Sequence, residues 1–306
     1  MAADADLAIG LDAVRAALIR ERLAPAGFEV LSPPNPRKRG RATLRVTLAG
    51  GNGVKARWLE SGEEGARLFA VRADLGSAFA PAIAAHGRVL LESWIEGTSV
   101  DGLALAAHAE AIAADAGAIL GNLHARSVQP AMACASTAPW RSEAERDLAT
   151  LVDAGKLDVV DATALAARLA ASDPTSTPLA LIHRDFCGEN LVRDERGRLR
   201  VIDNEWLMHG PAGFDLGRTF CRWPMPLHAW KRFLASYATA MPLDLQALVF
   251  WQITAALFGA RIRLGSQRVA ESLAVVRRLA RESTSSTDTA PADNQASAAE
   301  SPRHGP

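Results

Sequence analysis

One stretch constrains this chain more than any other: His183-Arg184-Asp185-Phe186-Cys187-Gly188-Glu189-Asn190, followed shortly by Ile202-Asp203-Asn204-Glu205. An H-x-D-x-x-x-x-N segment offers Asp185 as a carboxylate able to orient and deprotonate an attacking hydroxyl, and Asn190 as a neutral oxygen ligand. Asp203 adds a charged oxygen ligand. Mg²⁺ takes hard oxygens from only one or two protein groups and completes its octahedron with phosphates and water. The set therefore suits phosphoryl transfer, where a protein supplies positioning and electrostatics and little covalent chemistry.

The spacing supports the same chemistry. Leu191-Val192-Arg193 reads as a short strand, Asp194-Glu195-Arg196-Gly197 as a turn, and residues 198–202 as the returning strand. A hairpin of that length sets its open ends side by side, so Asn190 and Asp203 emerge as neighbours. The apolar runs 179–182 and 199–202 give the site two strands to stand on.

Residues 182–218 resemble the catalytic core of the aminoglycoside phosphotransferase and choline kinase superfamily. The resemblance implies an α+β, two-lobed protein-kinase-like fold, with a small antiparallel-sheet N-lobe and a mainly helical C-lobe. It puts Asp185 in the catalytic place and Asn190 and Asp203 in the metal-ligand places. The segment Gly210-Pro211-Ala212-Gly213-Phe214-Asp215-Leu216 resembles the family's G-P-x-x-x-D-L stretch, by which Asp215 braces the catalytic loop. His183 and His124 read as structural residues. His-Arg-Asp also opens the catalytic loop of protein kinases. Here, however, Asp203-Asn204-Glu205 stands where those have Asp-Phe-Gly, and no Ala-Pro-Glu follows. A protein kinase, and a pseudokinase used as a binding module, are the rival readings.

In the N-terminal part, Leu7, Leu11, Val14 and Leu18 share a helical face, and residues 28–32, 41–48 and 54–59 read as strands. Residues 63–75 then read as a helix and 88–92 as a further strand, an order that resembles a kinase N-lobe. Gly50-Gly51-Asn52-Gly53 precedes no helix and reads as a hairpin turn. The resemblance gives the phosphates to the connection 33–40, where Arg37, Lys38 and Arg39 could touch them or simply face solvent. Lys55, early on the third strand, is the lysine the fold needs for the α- and β-phosphates of ATP. Glu64 is its expected ion-pair partner, with Glu63 as runner-up. Val89 to Gly97 resembles the interlobe connection, whose backbone at Glu92 and Trp94 is expected to meet adenine. Further helices are read at 103–124, 140–157, 162–171, 227–240, 244–264 and 266–281.

The resulting organisation is an N-lobe over 1–92, a hinge and helical C-lobe over 93–282, and a tail from 283 to 306 with too little apolar content to pack. With 34 basic and 34 acidic residues among 306, the charge balance makes no case for nucleic acid or a membrane surface as partner. Three scattered cysteines show no disulfide or metal-ligand spacing, and the acidic start shows no signal peptide, so a cytoplasmic enzyme is expected. The apolar run 245–260 is short for a membrane span and reads as a buried helix. The expected activity is Mg²⁺- and ATP-dependent transfer to a hydroxyl of a small molecule. Residues 227–282 carry eight Lys/Arg against three Asp/Glu. That balance suits a sugar-like or other neutral or anionic acceptor better than an aminoglycoside or an amino alcohol such as choline.

Overall fold

The computed structural model describes residues 2–33, 41–73, 75–101, 108–127 and 135–282. The chain opens with helix α1 (Ala2–Arg20), followed by strands β1 (Pro25–Ser32), β2 (Ala42–Leu48) and β3 (Gly53–Trp58). Helix α2 (Gly62–Arg72) and the strands β4 (Ala82–His86) and β5 (Val89–Ser93) complete the N-lobe. Its antiparallel sheet runs β1-β2-β3-β5-β4. Val14 and Leu18 of α1 pack against Leu44, Val46, Val54, Ala56, Trp58 and Leu91, one face of that sheet. Because strand side chains alternate, Lys55 and Arg57 then point from the other face, the side on which α2 packs against β4 and β5.

Strand β4 departs from the sequence reading, which had only the later strand. Ala-Ile-Ala-Ala-His carries a weak strand signal, since alanine is depleted in strands. What forms it is pairing: His86 faces Val89 across a two-residue connection in which Gly87 takes φ 53°, the left-handed region open to glycine. Strand β5 consequently lies inside the sheet. Helix α2 starts where Ser61 caps it, its side chain accepting the Glu64 N–H at 3.1 Å.

Beyond a short strand β6 (Thr98–Ser99) come helix α3 (Ala109–Ser127), strand β7 (Ala135–Ser136), and helices α4 (Ala138–Asp153) and α5 (Val159–Ser172). Strands β8 (Ser176–Thr177) and β9 (Leu179–Ile182) lead to the hairpin β10 (Leu191–Arg193) and β11 (Leu199–Val201). Strand β12 (Met208–Pro211) returns to pair with β9, and helices α6 (Ala212–Arg222), α7 (Leu227–Ala238), α8 (Leu245–Ile262) and α9 (Val269–Arg281) close the lobe. Helix α8 packs against α4, α5, α6 and α9. Covered on so many sides, it is apolar enough to pass for a membrane span while serving as a core helix. Its start is capped by Asp244, which accepts the N–H groups of Gln246 and Ala247.

Helix α6 was not separated out in the sequence, because Gly213 and Gly217 depress helix propensity. The fold uses both: a Cβ on either would collide with Trp251 of α8. Their absence of side chain lets α6 lie close against α8, and α6 is the helix that carries Asp215, Arg218 and Arg222 to the site. The expected helix start at 103 and the connection with Arg37, Lys38 and Arg39 lie outside the described residues, as do Cys134 and the tail from 283.

Candidate active site

The loop after β9 is held from beneath. Asp215 is fully buried. Its Oδ2 accepts the backbone N–H of His183 at 2.6 Å, and its Oδ1 that of Arg184 at 2.6 Å. His124 Nε2 lies 3.2 Å from the same carboxylate and its Nδ1 2.9 Å from the Tyr237 hydroxyl, tying the brace to α3 and α7. Arg184 takes φ 71°, a costly conformation for a side chain of that size, which the Asp215 bonds to its own N–H and to that of His183 help maintain. His183 pairs through Nε2 with Asn204 Oδ1 at 3.1 Å and is wholly buried, so it orders the loop from inside.

Asp185 follows directly. Its Oδ1 accepts from Arg218 Nη2 at 2.9 Å and lies 3.2 Å from Arg222 Nε, both from α6. Its Oδ2 has the longer contact, 3.3 Å, to the Asn190 amide. Two guanidiniums on one oxygen of a partly exposed side chain describe a carboxylate that is fixed in orientation. Arg222 also reaches Glu189 Oε2 at 2.8 Å, and Arg268, from beyond α8, lies 3.4 Å from Glu189 Oε1.

The hairpin does what its length implied. Leu191 faces Val201, and the Ile202 N–H donates to the Asn190 carbonyl at 2.9 Å, which closes the open end and sets Asn190 beside Asp203. The Asn190 amide nitrogen donates to the Asp185 carbonyl at 2.8 Å, so its oxygen is the atom left to act as a ligand. Asp203 sits at φ 61°, a second strained residue at the site. One carboxylate and one amide oxygen on adjacent backbone fit Mg²⁺, which binds few protein groups and needs phosphate oxygens to finish its shell. Among the described residues, no group of three or more His, Cys, Asp or Glu side chains stands where it could hold a metal by itself.

Lys55 reaches Asp203 Oδ1 at 3.0 Å, so the structure brings Lys55, Asp185, Asn190 and Asp203 together across the two lobes. The expected pair between Lys55 and Glu64 is not formed. Glu64 sits at the start of α2 and is bound by Arg41, while Glu63 makes no such pair either. The buried residues of α2 are Gly65, Leu68 and Arg72, further along the helix than Glu64. The carboxylate beneath the lysine face is that of Glu92 of β5, the residue whose backbone is expected at adenine. Its side chain is buried in the sheet interior, where Glu92 faces Lys55 on one side and Ala82 on the other. Trp94 also departs from expectation: its N–H donates to the Gly53 carbonyl at 3.0 Å, and Arg45 stacks on its ring at 4.5 Å. That donor is spent within the protein.

Arg57, two positions beyond Lys55, is a candidate-site residue that no motif in the sequence marks, as are Arg218 and Arg222 beside Asp185. Its Nη2 lies 2.5 Å from Asp203 Oδ1, its Nη1 2.5 Å from Glu205 Oε2 and its Nε 2.5 Å from Glu92 Oε2. Burial alone would raise the Asp203 carboxyl, yet Arg57 and Lys55 outweigh it and hold the group ionised far below the usual carboxylate range. The same contest leaves Glu92 at about 2, with burial opposed by Arg57 and Arg72. Burial, and then repulsion from Arg57, lowers the Lys55 ammonium. A cation two residues from a chosen lysine, on the same strand face, was the available signal. Cys187, inside the loop, is fully buried and its thiol is pushed up to about 11 by burial and by Asp185, so it remains a protonated packing residue.

The profile of the phosphotransferase enzyme family matches residues 55–243, well over half of the chain. Among solved structures, the chain is similar to the macrolide 2'-phosphotransferase from Brachybacterium faecium, at 17% identity and a TM-score of 0.60 over 89% of this chain and 99% of that one. It is similar to the choline kinase from Streptococcus pneumoniae, at 13% identity and a TM-score of 0.62 over 88% of this chain and 97% of that one. A spectinomycin phosphotransferase aligns at 12% identity with a TM-score of 0.58, over 84% and 93%. No curated protein sequence matches the chain. At these identities the structural likenesses establish the fold, a two-lobed kinase-like one.

Proposed function

The chain belongs to the phosphotransferase enzyme family, and from that premise we propose that it transfers the γ-phosphate of Mg²⁺-bound ATP to a hydroxyl of a small molecule in the cytoplasm. The observation that carries this reading is the convergence of Lys55 from the N-lobe with Asp185, Asn190 and Asp203 from the C-lobe. Support for the nucleotide comes also from a neighbour of this fold, the spectinomycin phosphotransferase solved with ADP. Bound Mg²⁺ would supply positive charge that offsets the charge developing during transfer. The chain's own residues then have separate tasks. Asp203 and Asn190 would hold the metal, and Lys55 would neutralise the phosphates. Asp185, fixed by Arg218 and Arg222, orients the acceptor hydroxyl and accepts its proton.

On this reading, Asp203→Ala weakens Mg²⁺-dependent nucleotide binding more than Asn190→Ala does, because Asp203 brings a full charge to the metal. Titration of Mg-ADP into the two variants measures the ranking. The reverse order would exchange the two ligands' roles.

For the acceptor we propose a sugar-like or other neutral or anionic compound. The surplus of arginines in residues 227–282 contributes less than its count implies, since Arg261 is spent on Asp147 and Glu143 of α4 and Arg263 bonds Ser272. The support comes instead from Arg218 and Arg222 beside Asp185, with Arg268 close behind on Glu189. A polycation brought into that setting would lose water against guanidiniums, where a desolvated ammonium needs carboxylates. Steady-state kinetics on kanamycin-type aminoglycosides, sugars and sugar phosphates decides the matter. Turnover is expected in the last two groups, and efficient turnover of an aminoglycoside at low-micromolar half-saturation would defeat the proposal.

A further inference from the structure

Strand β3 presents two cations to the cleft, and the second is the better connected. Arg57 is 2% exposed in its side chain and addresses three carboxylates at once: Glu92 from β5, and Asp203 and Glu205 from the segment after the hairpin. Only a planar fork with separate donor directions makes that arrangement; an ammonium at the end of a flexible stem is a point charge. Glu92 has its other oxygen 2.6 Å from Arg72 Nη1 of α2. The ion pair between helix α2 and the sheet therefore has the opposite polarity to the one expected from sequence, with the cation on the helix and the carboxylate on the strand. Glu64, the helix carboxylate, is bound elsewhere by Arg41.

We propose that Arg57 is the positioning residue for Asp203, gripping one oxygen of that carboxylate so that the group is presented to the metal, and that Arg57, Glu92 and Arg72 form the chain linking metal binding to helix α2. The proposal rests on the phosphotransferase reading. It goes beyond that reading in moving the coupling of the lobes from a lysine–glutamate pair to an arginine-centred one. Lys55 is left to face the phosphates, with a single contact to Asp203 Oδ1 at 3.0 Å. Arg57 touches neither nucleotide nor acceptor in this scheme and acts through Asp203.

The test is calorimetric titration of the full chain with ADP, once with Mg²⁺ and once with EDTA. Arg57→Lys keeps the charge and loses the fork. It is expected to weaken Mg-ADP binding about 10–100-fold, the usual range for partners that orient a metal ligand, while metal-free ADP binding stays close to wild type. A second variant, Arg57→Met with Glu92→Leu and Arg72→Met, removes together the three ions with almost no exposure and leaves the more exposed Asp203 and Glu205 to solvent, an exchange that proteins often tolerate without loss of stability. It is expected to melt near the wild-type temperature and still show the same selective loss of Mg-ADP affinity. Wild-type Mg-ADP affinity in both folded variants overturns the proposal and leaves the phosphotransferase reading intact. A wild-type protein whose ADP affinity is indifferent to Mg²⁺ overturns the phosphotransferase reading, and the proposal with it.

Discussion

Replacing Asp185 by asparagine is expected to lower turnover by roughly 10²–10⁴-fold, the usual worth of a general base, while the protein stays folded and binds Mg-ADP as before. The substitution is nearly isosteric. It leaves an amide oxygen in place of the Oδ1 that Arg218 and Arg222 now hold, and it removes only the capacity to take a proton. Comparing kcat against an acceptor found in the metabolite panel, alongside nucleotide affinity, separates the two effects. Near-normal turnover in this variant would remove Asp185 from the catalytic place. A loss shared equally by nucleotide affinity would mean that Asp185 works by holding the loop.

The largest structural effect belongs to Asp215→Ala. The carboxylate is completely buried and accepts two backbone N–H bonds at 2.6 Å as well as the His124 contact. Deleting it strands donors that water cannot reach, at about 1–3 kcal/mol for each unsatisfied group. A total loss of about 3–5 kcal/mol in urea unfolding is expected from the two stranded N–H groups and the lost His124 contact. Activity should fall further than stability explains, because Arg184 loses the bonds that keep it at φ 71° directly before Asp185. Asp215→Asn, which retains an acceptor oxygen, is expected to fall between Asp215→Ala and the wild type in both measures. An alanine variant that unfolds at the wild-type urea concentration would show that the brace contributes nothing and that the loop is held from its other side.

These two effects have a common origin in how the site is built. Asp185 lies between a rigid support below and two arginines beside it, and all three come from α6 through Asp215, Arg218 and Arg222. Helix α6 in turn lies where it does because glycines at 213 and 217 admit the face of α8. Packing of two helices thus sets the position of a carboxylate to within hydrogen-bond tolerance. Positioning of this kind is the main contribution that a protein makes to phosphoryl transfer.

Much of the site was legible in the chain because its parts are close in sequence. Asp185, Asn190 and Asp203 belong to one loop and one hairpin, and backbone geometry alone carries a short hairpin's ends together. The amphipathic stripes of α1 and the C-lobe helices were legible for the same reason, since a period of 3.6 residues is local information. Strand β4 and helix α6 were not, because Ala82–His86 and Ala212–Arg222 have weak propensity of their own and gain their form from β5 and α8. The partners of Lys55, Arg57, Glu64 and Glu92 were decided only by the tertiary structure. Arg57 and Asp203 are 146 positions apart, and Lys55 and Asp203 148. An ion pair is chosen among many carboxylates and cations by whichever are desolvated together, and no spacing in the chain encodes which those will be. Sequence by itself therefore determined the chemistry available at this site. Packing decided which charges share the low-dielectric interior, and so which of them hold Asp203 in place.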